Sequence, residues 1–320
     1  MWASQSRDVS PSRWVLVYTG GPRRPAYTVD DLLHLTTVVD TAGRPIGPLC
    51  DGVILTEFLA VSGRYYMPWT NGQPSTGADW ELYTDSVTSR TGPMVRLDSA
   101  ATRGRVSFVV MVPYPDTSQH AFVYRGRTYD LLRDSERSAV EEAYLNDMRE
   151  RIGSLSLSHV SFYGFYWLNE GIRPTDSSLV SRVTAAVHRM SLRILWIPSY
   201  GAAGASQWRA FGFDDAWLQP NFFFHPDVSA ARFDSAATRA RAAHMGLELE
   251  FDRRLFNDTL FRDRLTPYLA TFEKAPDLRN RSIAIYEGGG ALIQLARSTD
   301  PRYRAMYRHL ANVLRPEVRW

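Results

Sequence analysis

The chain has 320 residues, of which 44% are hydrophobic and 22% are charged, and these fractions are typical of a globular protein. The net charge of +3 comes from basic residues that are scattered along the sequence, so no segment forms the basic patch that nucleic-acid binding requires. The single cysteine, Cys50, excludes a disulfide framework and a cysteine-based zinc site, and no apolar stretch approaches the length of a membrane-spanning helix.

Short apolar segments alternate with amphipathic segments from one end of the chain to the other. The apolar segments predict strands at 13–21, 52–60, 105–115, 159–171, 192–201, 214–224, 246–252 and 281–290. The amphipathic segments predict helices at 28–40, 78–87, 135–153, 176–190, 206–212, 231–245, 257–275 and twice within 291–314. Residues 121–131 predict a hairpin that turns at Gly126.

Three helix boundaries carry local signals. Thr28 is the expected N-cap of the first helix, and Asp176 or Ser177 is the expected N-cap of the helix at 176–190. Pro267 is expected to kink or end the helix at 257–275, because proline removes a backbone hydrogen bond. The first residues, MWASQSRDVSPSRW, lack the apolar core of a signal peptide, and the compartment is left open.

Eight strands that alternate with helices predict parallel pairing through right-handed crossovers. We therefore expect an α/β fold, a (β/α)8 TIM barrel that forms a single domain over residues 1–320. An open doubly wound sheet is the alternative, but residues 18–28, YTGGPRRPAYT, lack the G-x-G-x-x-G turn that such sheets carry after the first strand. Residues 61–104 are expected to form an extended insertion after strand 2 with one helix, at the active-site face.

In a barrel of this type the active site lies at the C-terminal ends of the strands. The predicted ends carry acids, amides and aromatic rings but no histidine, which argues against a Ser-His-Asp triad and against a histidine-based metal site. From strand two to strand eight these end residues include Glu57, Asn169, Glu170, Tyr200, Gln219, Asn221, Glu250, Asp252, Tyr286 and Glu287.

The segment MGLELEFD, residues 245–252, places an acid at every second position. Strand side chains alternate between two faces, so the three apolar residues face the helices while Glu248, Glu250 and Asp252 face the barrel axis. A buried carboxylate costs several kcal/mol unless it is paired. We expect arginines and backbone groups to neutralise Glu248, the deepest of the three. Glu250 is the functional candidate, and Asp252 either caps a loop or binds substrate.

The fourth strand ends in FYWLNEG, with Glu170 close to Trp167. A carboxyl beside aromatic surface has its pKa raised by desolvation, and it can deliver a proton near neutral pH. A second carboxyl at the same barrel mouth suits glycoside hydrolysis, in which the spacing of the pair predicts the stereochemistry. A separation of about 5–5.5 Å predicts retention, and one of about 6.5–9.5 Å predicts inversion.

Asn-Glu at the end of strand four, with a glutamate at the end of strand seven, resembles the clan of retaining (β/α)8 glycoside hydrolases. The resemblance implies that Glu170 is the acid/base, that Asn169 contacts the sugar 2-hydroxyl, and that Glu250 is the nucleophile. The clan shows one clear glutamate on strand seven, whereas this chain has Glu248 and Glu250, so the choice of nucleophile is open. More closely, the runs GFYWLNEG, WIPSYGA, WLQPNFFF and MGLELEFD resemble the bacterial family named domain of unknown function 4855, over strands two to eight.

Sugar rings present flat C–H faces that pack on aromatic side chains. Trp69, Tyr65 and Tyr66 lie in the loop GRYYMPWTNGQPSTG, where aromatic rings have no obvious core to fill, and Trp80 follows it. Amides at the mouth are expected to bind hydroxyls, further acids to bind sugar or tune the catalytic pair, and Tyr286 to orient the nucleophile. The expected substrate-binding residues are Asn169, Trp167, Glu57, Tyr200, Gln219, Asn221, Glu248, Asp252, Tyr286, Glu287 and Trp69.

The favoured function is therefore a retaining glycoside hydrolase that acts on a polysaccharide or glycan, with no cofactor and no metal ion. A carbohydrate-binding barrel without catalysis is one alternative. A metal-dependent lyase or hydrolase that uses Glu248, Glu250, Asp252 and Glu57 as oxygen ligands is another. The expected partner is an oligo- or polysaccharide, and neither nucleic acid nor membrane, while the oligomeric state is left open.

Overall fold

A closed barrel of eight parallel strands forms the centre of the protein. The computed structural model describes residues 10–21, 24, 26–102 and 104–320. Each barrel strand pairs with the next one along the chain, and the eighth pairs with the first, which confirms the predicted TIM barrel. The strands are β1 (Arg13–Tyr18), β2 (Gly52–Thr56), β3 (Val106–Val112), β4 (Val160–Trp167), β5 (Arg193–Trp196), β6 (Asp215–Leu218), β7 (Gly246–Asp252) and β8 (Ile283–Gly288).

Helices surround the barrel, and among the described residues none is long and apolar enough to cross a membrane. They are α1 (Val29–Thr36), α2 (Gly77–Val87), α3 (Pro93–Ala100), α4 (Asp134–Ser154), α5 (Ser177–Arg189), α6 (Ala231–Ala242), α7 (Arg254–Asn257), α8 (Thr259–Lys274), α9 (Pro276–Arg279), α10 (Ala291–Arg297) and α11 (Pro301–Leu314). Two antiparallel pairs lie outside the barrel, Thr37–Val39 with Pro45–Pro48 and Phe122–Tyr124 with Arg127–Tyr129. The second is the predicted hairpin, whereas the first had no sequence signal that we recognised.

The helix predictions need four corrections. The helix predicted at 28–40 ends at Thr36, and Thr37–Val39 form a strand instead. The segment between β2 and β3 contains two helices, and α3 begins at Pro93 after Gly92, a common start because proline suits the first helical turn. The predicted helix at 206–212 is wrong, since this region contains only a single 3-10 turn at Ala205–Gln207. Pro267 does not end its helix, because α8 runs through it from Thr259 to Lys274.

Aromatic rings fill the N-terminal half of the barrel interior. Trp14 of β1 contacts Trp217 of β6 and Tyr163 of β4, with ring centroids 6.1 and 5.5 Å apart. These strands are not neighbours, so the contacts cross the barrel axis. Glycine makes room for the rings, because a Cβ on Gly52 would lie 2.3 Å from the Trp14 ring and one on Gly246 would lie 2.4 Å from the Trp217 ring.

A β-bulge in β4 decides which side chains of that strand face the axis. The register with β3 shifts so that Tyr163 is an extra residue beside Gly164. Gly164 has a φ of 150°, and a Cβ there would lie 1.8 Å from the carbonyl oxygen of Arg193. The shift turns Tyr166 toward the interior. Trp167 consequently faces the helix layer, where it packs against Tyr114 and is fully buried.

Candidate active site

The acidic strand β7 extends beyond its neighbour β6 at the C-terminal mouth. The two strands pair only at Trp217–Gly246 and Leu218–Leu247, whereas β7 stays paired with β8 as far as Asp252. The predicted alternation is present, because Leu247, Leu249 and Phe251 are buried in the hydrophobic core. Glu248 and Glu250 therefore lie on the part of β7 that projects past β6, next to the loop of residues 219–230.

Glu250 is a buried carboxyl that is held by two donors. Its Oε2 accepts hydrogen bonds from the Tyr268 hydroxyl and from the backbone N–H of Phe222, the latter at 3.2 Å. Burial raises the pKa of Glu250 to about 7, the hydrogen bonds oppose this rise, and the charge of Glu170 adds to it. The side chain thus has a fixed orientation and a carboxylate form that the protein stabilises.

Arg264 and Tyr268 of α8 hold the loop 219–230 against Glu250. The two residues are one helical turn apart and therefore lie on the same side of α8. Arg264 lies 3.5 Å from the centroid of the Phe222 ring. Its guanidinium also donates to the backbone carbonyls of Phe222, Phe223, His225, Pro226 and Val228.

Glu170 lies just beyond the end of β4 and is half-buried. Burial raises the pKa of Glu170, and a hydrogen bond with the Gln219 side chain opposes this rise. Gln219 in turn accepts from the Asn221 amide at 2.8 Å, and Asn221 Oδ1 accepts from the Tyr200 N–H at 2.6 Å. Asn221 has a φ of 47°, a left-handed conformation that asparagine tolerates. The two predicted amides therefore form a hydrogen-bonded chain that ends at Glu170.

Glu248 is only 2% exposed, and no described residue donates a hydrogen bond to it. Burial raises the pKa of Glu248 well above its ordinary value, and the charges of Glu250 and Glu170 raise it further. The prediction that arginines neutralise Glu248 is wrong, because no arginine in the described part of the chain pairs with this carboxyl. Its surroundings include Tyr18, Tyr166 and Tyr286, whose own pKa values are raised mainly by burial and in part by the Glu248 charge. Burial therefore favours the protonated form of Glu248.

Two further predicted acids bind arginines instead of joining this cluster. Glu57 pairs with Arg24 at 2.9 Å and accepts the N–H groups of Phe58 and Leu59. Asp252 accepts hydrogen bonds from the backbone N–H and the guanidinium of Arg254, at 2.9 and 3.0 Å. Of the two roles predicted for Asp252, these contacts correspond to the loop cap. The four-acid metal cluster is therefore not assembled, and residues 10–21, 24, 26–102 and 104–320 contain no group of three or more His, Cys, Asp or Glu placed to hold a metal ion.

Two predicted substrate contacts face the helix layer, and these predictions are wrong. Glu287 accepts from the Leu292 N–H at the start of α10 and from the Tyr27 hydroxyl, and burial raises its pKa to about 8. Its register partner is Phe251, which also points outward. Trp167 is fully buried beside Tyr114, so it can desolvate the end of β4 but cannot touch a sugar.

Two more predicted contacts are already engaged by the protein. The Tyr200 ring has guanidinium carbons 4.0 Å and 4.2 Å from its centroid, from Arg232 and Arg239. These two guanidinium groups occupy ring surface that a sugar would otherwise pack against. The Asn169 side chain donates to the Gly171 carbonyl at 2.9 Å, which holds it within its own loop.

Aromatic rings border the mouth on the side of β1, β2 and β8. Tyr286 is half-buried, with ring centroids 5.5 Å from Tyr18 and 5.2 Å from Phe224. Trp69 is 52% exposed, as expected of a ring that contacts ligand. The other predicted rings of this insertion, Tyr66 and Trp80, are buried in the core and cannot contact a ligand.

Sequence reasoning missed several residues of the site. Tyr18 closes the first strand, so the strand-end rule that selected the other residues was sufficient to find it. Tyr268 and Arg264 had no such signal, because they belong to a helix and reach Glu250 only where β6 stops short of β7.

The model of the family described as Domain of unknown function (DUF4855) matches residues 13–312, so the chain belongs to this family, as the sequence motifs indicated. No curated protein is significantly similar to it in sequence. Among solved structures it is similar to the xylanase and alpha-amylase inhibitor protein XAIP-II from Scadoxus multiflorus, with 11% sequence identity and a TM-score of 0.50. This match covers 94% of this chain and 97% of that chain. It is also similar to a GH5_18 from Bifidobacterium longum subsp. infantis, with 13% sequence identity and a TM-score of 0.50. This match covers 97% of this chain and 80% of that chain. At these identities the likeness shows the fold, which is that of TIM-barrel glycoside hydrolases and related proteins.

Proposed function

We propose that this DUF4855 protein is a retaining glycoside hydrolase that cleaves a glycosidic bond of a polysaccharide or glycan. Glu170 is the general acid/base, and Glu250 is the nucleophile. One observation carries the proposal. The proposal is supported by two carboxyls at the C-terminal ends of the non-adjacent strands β4 and β7, each held by its own donors: the Gln219 side chain for Glu170, and the Tyr268 hydroxyl and Phe222 N–H for Glu250. The charge of Glu170 also contributes to the raised pKa of Glu250. Fold neighbours do not decide the activity, since one of them is an inhibitor protein.

The environment of β7 favours Glu250 over Glu248 as the nucleophile. A nucleophilic carboxyl has to be ionised, and Tyr268 and Phe222 both donate to Oε2 of Glu250. Glu248 has no donor among the described residues, and burial raises its pKa, which disfavours the ionised form. Neighbouring carboxyls whose environments push their pKa values apart take different roles.

Glu170 suits the acid/base role because it is half-buried and can reach both substrate and water. Burial favours its protonated form, and a hydrogen bond from the Gln219 side chain opposes this effect. The chain from Asn221 through Gln219 holds the carboxyl in one orientation. A positioned acid of this type contributes about 10²–10⁴-fold to the rate of a proton-transfer step.

The reaction proceeds in two balanced steps. Glu250 attacks the anomeric carbon while Glu170 donates its proton to the leaving glycosidic oxygen, which forms a glycosyl ester and releases the first product. Glu170 then removes a proton from a water molecule, which attacks the anomeric carbon and releases the sugar and the Glu250 carboxylate. The pair needs one proton in total at the start, and mutual repulsion of the two charges favours the singly protonated pair over a range of pH.

The proposal is tested by Glu170→Gln and Glu250→Gln, with Glu287→Gln as the control because Glu287 is an equally buried glutamate on the helix side of the neighbouring strand. Activity is first located with a panel of plant and bacterial polysaccharides. Both mouth variants should lose hydrolysis while the control retains it, and NMR of the first-formed product should show retention at the anomeric carbon. Full activity in either mouth variant would overturn the mechanism. Glycan binding without hydrolysis by the wild type would indicate a carbohydrate-binding barrel instead.

A further inference from the structure

Three nearly parallel rings in the loop after β2 form a surface that we call the aromatic shelf, made of Phe58, Tyr65 and Trp69. The Tyr65 and Trp69 rings are 5.4 Å apart with an angle of 2° between their planes. Phe58 lies 6.4 Å from Tyr65 and 6.0 Å from Trp69, at angles of 17° and 19°. Trp69 is outermost and 52% exposed, so the shelf presents a flat apolar face to solvent.

Backbone hydrogen bonds fix the shape of this loop. The Tyr65 N–H donates to the Gln73 carbonyl at 2.8 Å, and the Tyr65 carbonyl accepts from the Ser75 N–H at 2.8 Å. The loop closes behind the rings at Gly72, where a Cβ would lie 2.5 Å from the Tyr65 ring. Tyr66 anchors the loop from below, since its hydroxyl donates to the Asp79 carbonyl at 2.9 Å. The rings are thus held in place before any ligand arrives.

The aromatic shelf continues into the candidate active site. The Phe58 ring contacts Tyr18 at 5.8 Å, and the pKa of Tyr18, raised mainly by burial, is also raised by the charges of Glu248 and Glu170. Arg24 lies 4.6 Å from the Tyr18 ring and 5.1 Å from the Phe58 ring. A polar guanidinium therefore borders an apolar path that leads from the carboxyls to Trp69.

We infer that the aromatic shelf binds sugar units of the substrate beyond the cleaved bond, so that the substrate is an extended saccharide chain and not a terminal monosaccharide glycoside. The inference rests on the proposed function and specifies its substrate class. Sugar rings have flat C–H faces that pack on aromatic rings, and their hydroxyls suit a neighbouring guanidinium. Binding energy from units remote from the reacting bond can assist catalysis, which gives a preformed shelf a functional reason.

The test compares Trp69→Ala and Tyr65→Ala with Trp320→Ala, a matched control because Trp320 is another exposed tryptophan, 37% exposed, near the C-terminus. Each change is placed in the Glu170→Gln background, so that ligands are not cleaved. Isothermal calorimetry measures binding of cello-, xylo-, manno- and chitohexaose and of the matching disaccharides. We expect a hexasaccharide that binds more tightly than its disaccharide. Each shelf variant should lower the affinity for this hexasaccharide about tenfold, consistent with the loss of one aromatic contact, while the control variant should leave the affinity unchanged.

A second variant, Gly72→Val, keeps all three rings but displaces Tyr65 because of the close approach at Gly72. It should also weaken hexasaccharide binding while the disaccharide affinity stays the same. If no hexasaccharide binds more tightly than its disaccharide, or if the shelf variants bind hexasaccharides as well as the control, the inference is overturned. Hydrolysis is assayed separately in the wild-type chain, which retains Glu170. If the wild type hydrolyses no glycan but the aromatic shelf still binds hexasaccharides, the proposed function alone is overturned.

Discussion

The two halves of the barrel interior differ in what the same strands place there. Near the N-terminal ends, Trp14, Tyr163 and Trp217 pack across the axis, and β7 contributes Gly246 to make room for them. Two residues further along β7, Glu248 begins a region of carboxyls and tyrosines. The lower half stabilises the barrel by burying aromatic surface, whereas the upper half contains ionisable groups whose burial opposes folding.

This difference agrees with the location that we propose for the active site. Local rules of burial and pairing are satisfied in the lower half, and they are violated in the upper half at Glu248, Glu250 and Glu170. Conflicts of this type are expected at functional or strained sites. The comparison therefore assigns stability to one half and chemistry to the other, and substitutions in each half should separate the two properties.

The largest effect is expected within the upper half, between two neighbouring glutamates. Glu250→Gln should lower kcat by about 10⁴-fold, since it removes the nucleophile while preserving shape. Glu248→Gln should keep most of the activity, because a neutral amide resembles the protonated acid that burial favours. Steady-state kinetics on the accepted glycan measure both, and circular dichroism checks that both fold. The opposite result, an inactive Glu248 variant and an active Glu250 variant, would exchange their roles.

The next effect is expected in the lower half. Trp217→Ala removes a fully buried ring that contacts Trp14, and its indole N–H donates to Ser282 at 3.0 Å. The free energy of unfolding should fall by about 3–5 kcal/mol, as for other buried tryptophans. Urea denaturation measures it, with Trp320→Ala as the control of small effect. A Trp217 variant with unchanged stability and reduced kcat would contradict the division between the halves.

Much of this division could be predicted from sequence, because it follows from alternation along strands. The sequence predicted correctly that Glu248 and Glu250 lie on the inner face of β7. Side chains alternate along a strand, and the apolar residues that flank these glutamates occupy the outer face. Glu287 was misplaced for the opposite reason. It was selected by its position at a strand end, although Tyr286 on the inner face requires that Glu287 point outward.

Other features depend on contacts that have no local signature. The orientation of Trp167 follows from the bulge at Tyr163, which Gly164 permits by its close approach to the next strand. The donor Tyr268 belongs to a helix, and it reaches Glu250 only because β6 is four residues long and stops short of β7. Strand and helix periodicity cannot encode either feature, since both depend on how elements of different length meet.

A smaller effect is expected from Tyr268→Phe, which removes a donor that lowers the pKa of Glu250. Glu250 has to be ionised, so kcat/KM should fall as pH drops through its pKa of about 7, and without this donor the fall should begin at higher pH. A hydrogen bond to a charged group is worth about 1.5–3 kcal/mol, so activity below neutral pH should fall about tenfold or more.

The matched control for this measurement is Tyr27→Phe, which removes a hydroxyl that donates to Glu287 on the helix side of the barrel. Its pH profile should match that of the wild type. An unshifted profile in the Tyr268 variant, or an equal shift in both, would show that the Tyr268 hydroxyl does not stabilise the ionised nucleophile.

The smallest effect concerns a buried glutamate outside the barrel. Glu141 of α4 is fully buried, and neither of its carboxyl oxygens has a hydrogen-bond partner among the described residues. Burial raises the pKa of Glu141 well above the ordinary value of 4.5. The folded protein is therefore most stable below pH 4.5, where Glu141 is protonated in both the folded and the unfolded state. The free energy of unfolding then falls as pH rises toward the raised pKa. Glu141→Gln should remove this loss of stability between pH 5 and pH 6, where one proton can contribute at most about 1.4 kcal/mol per pH unit.

Urea denaturation at the two pH values measures this difference, with the exposed neighbour Glu142→Gln as the control. Glu141→Gln should flatten the pH dependence and leave kcat unchanged, whereas Glu250→Gln should abolish activity. Both residues are buried glutamates with raised pKa values, so the contrast separates burial from function. Only Glu250 has oriented donors and a second carboxyl across a mouth that substrate can enter. An inactive Glu141 variant that still folds would show that the helix layer contributes to the chemistry.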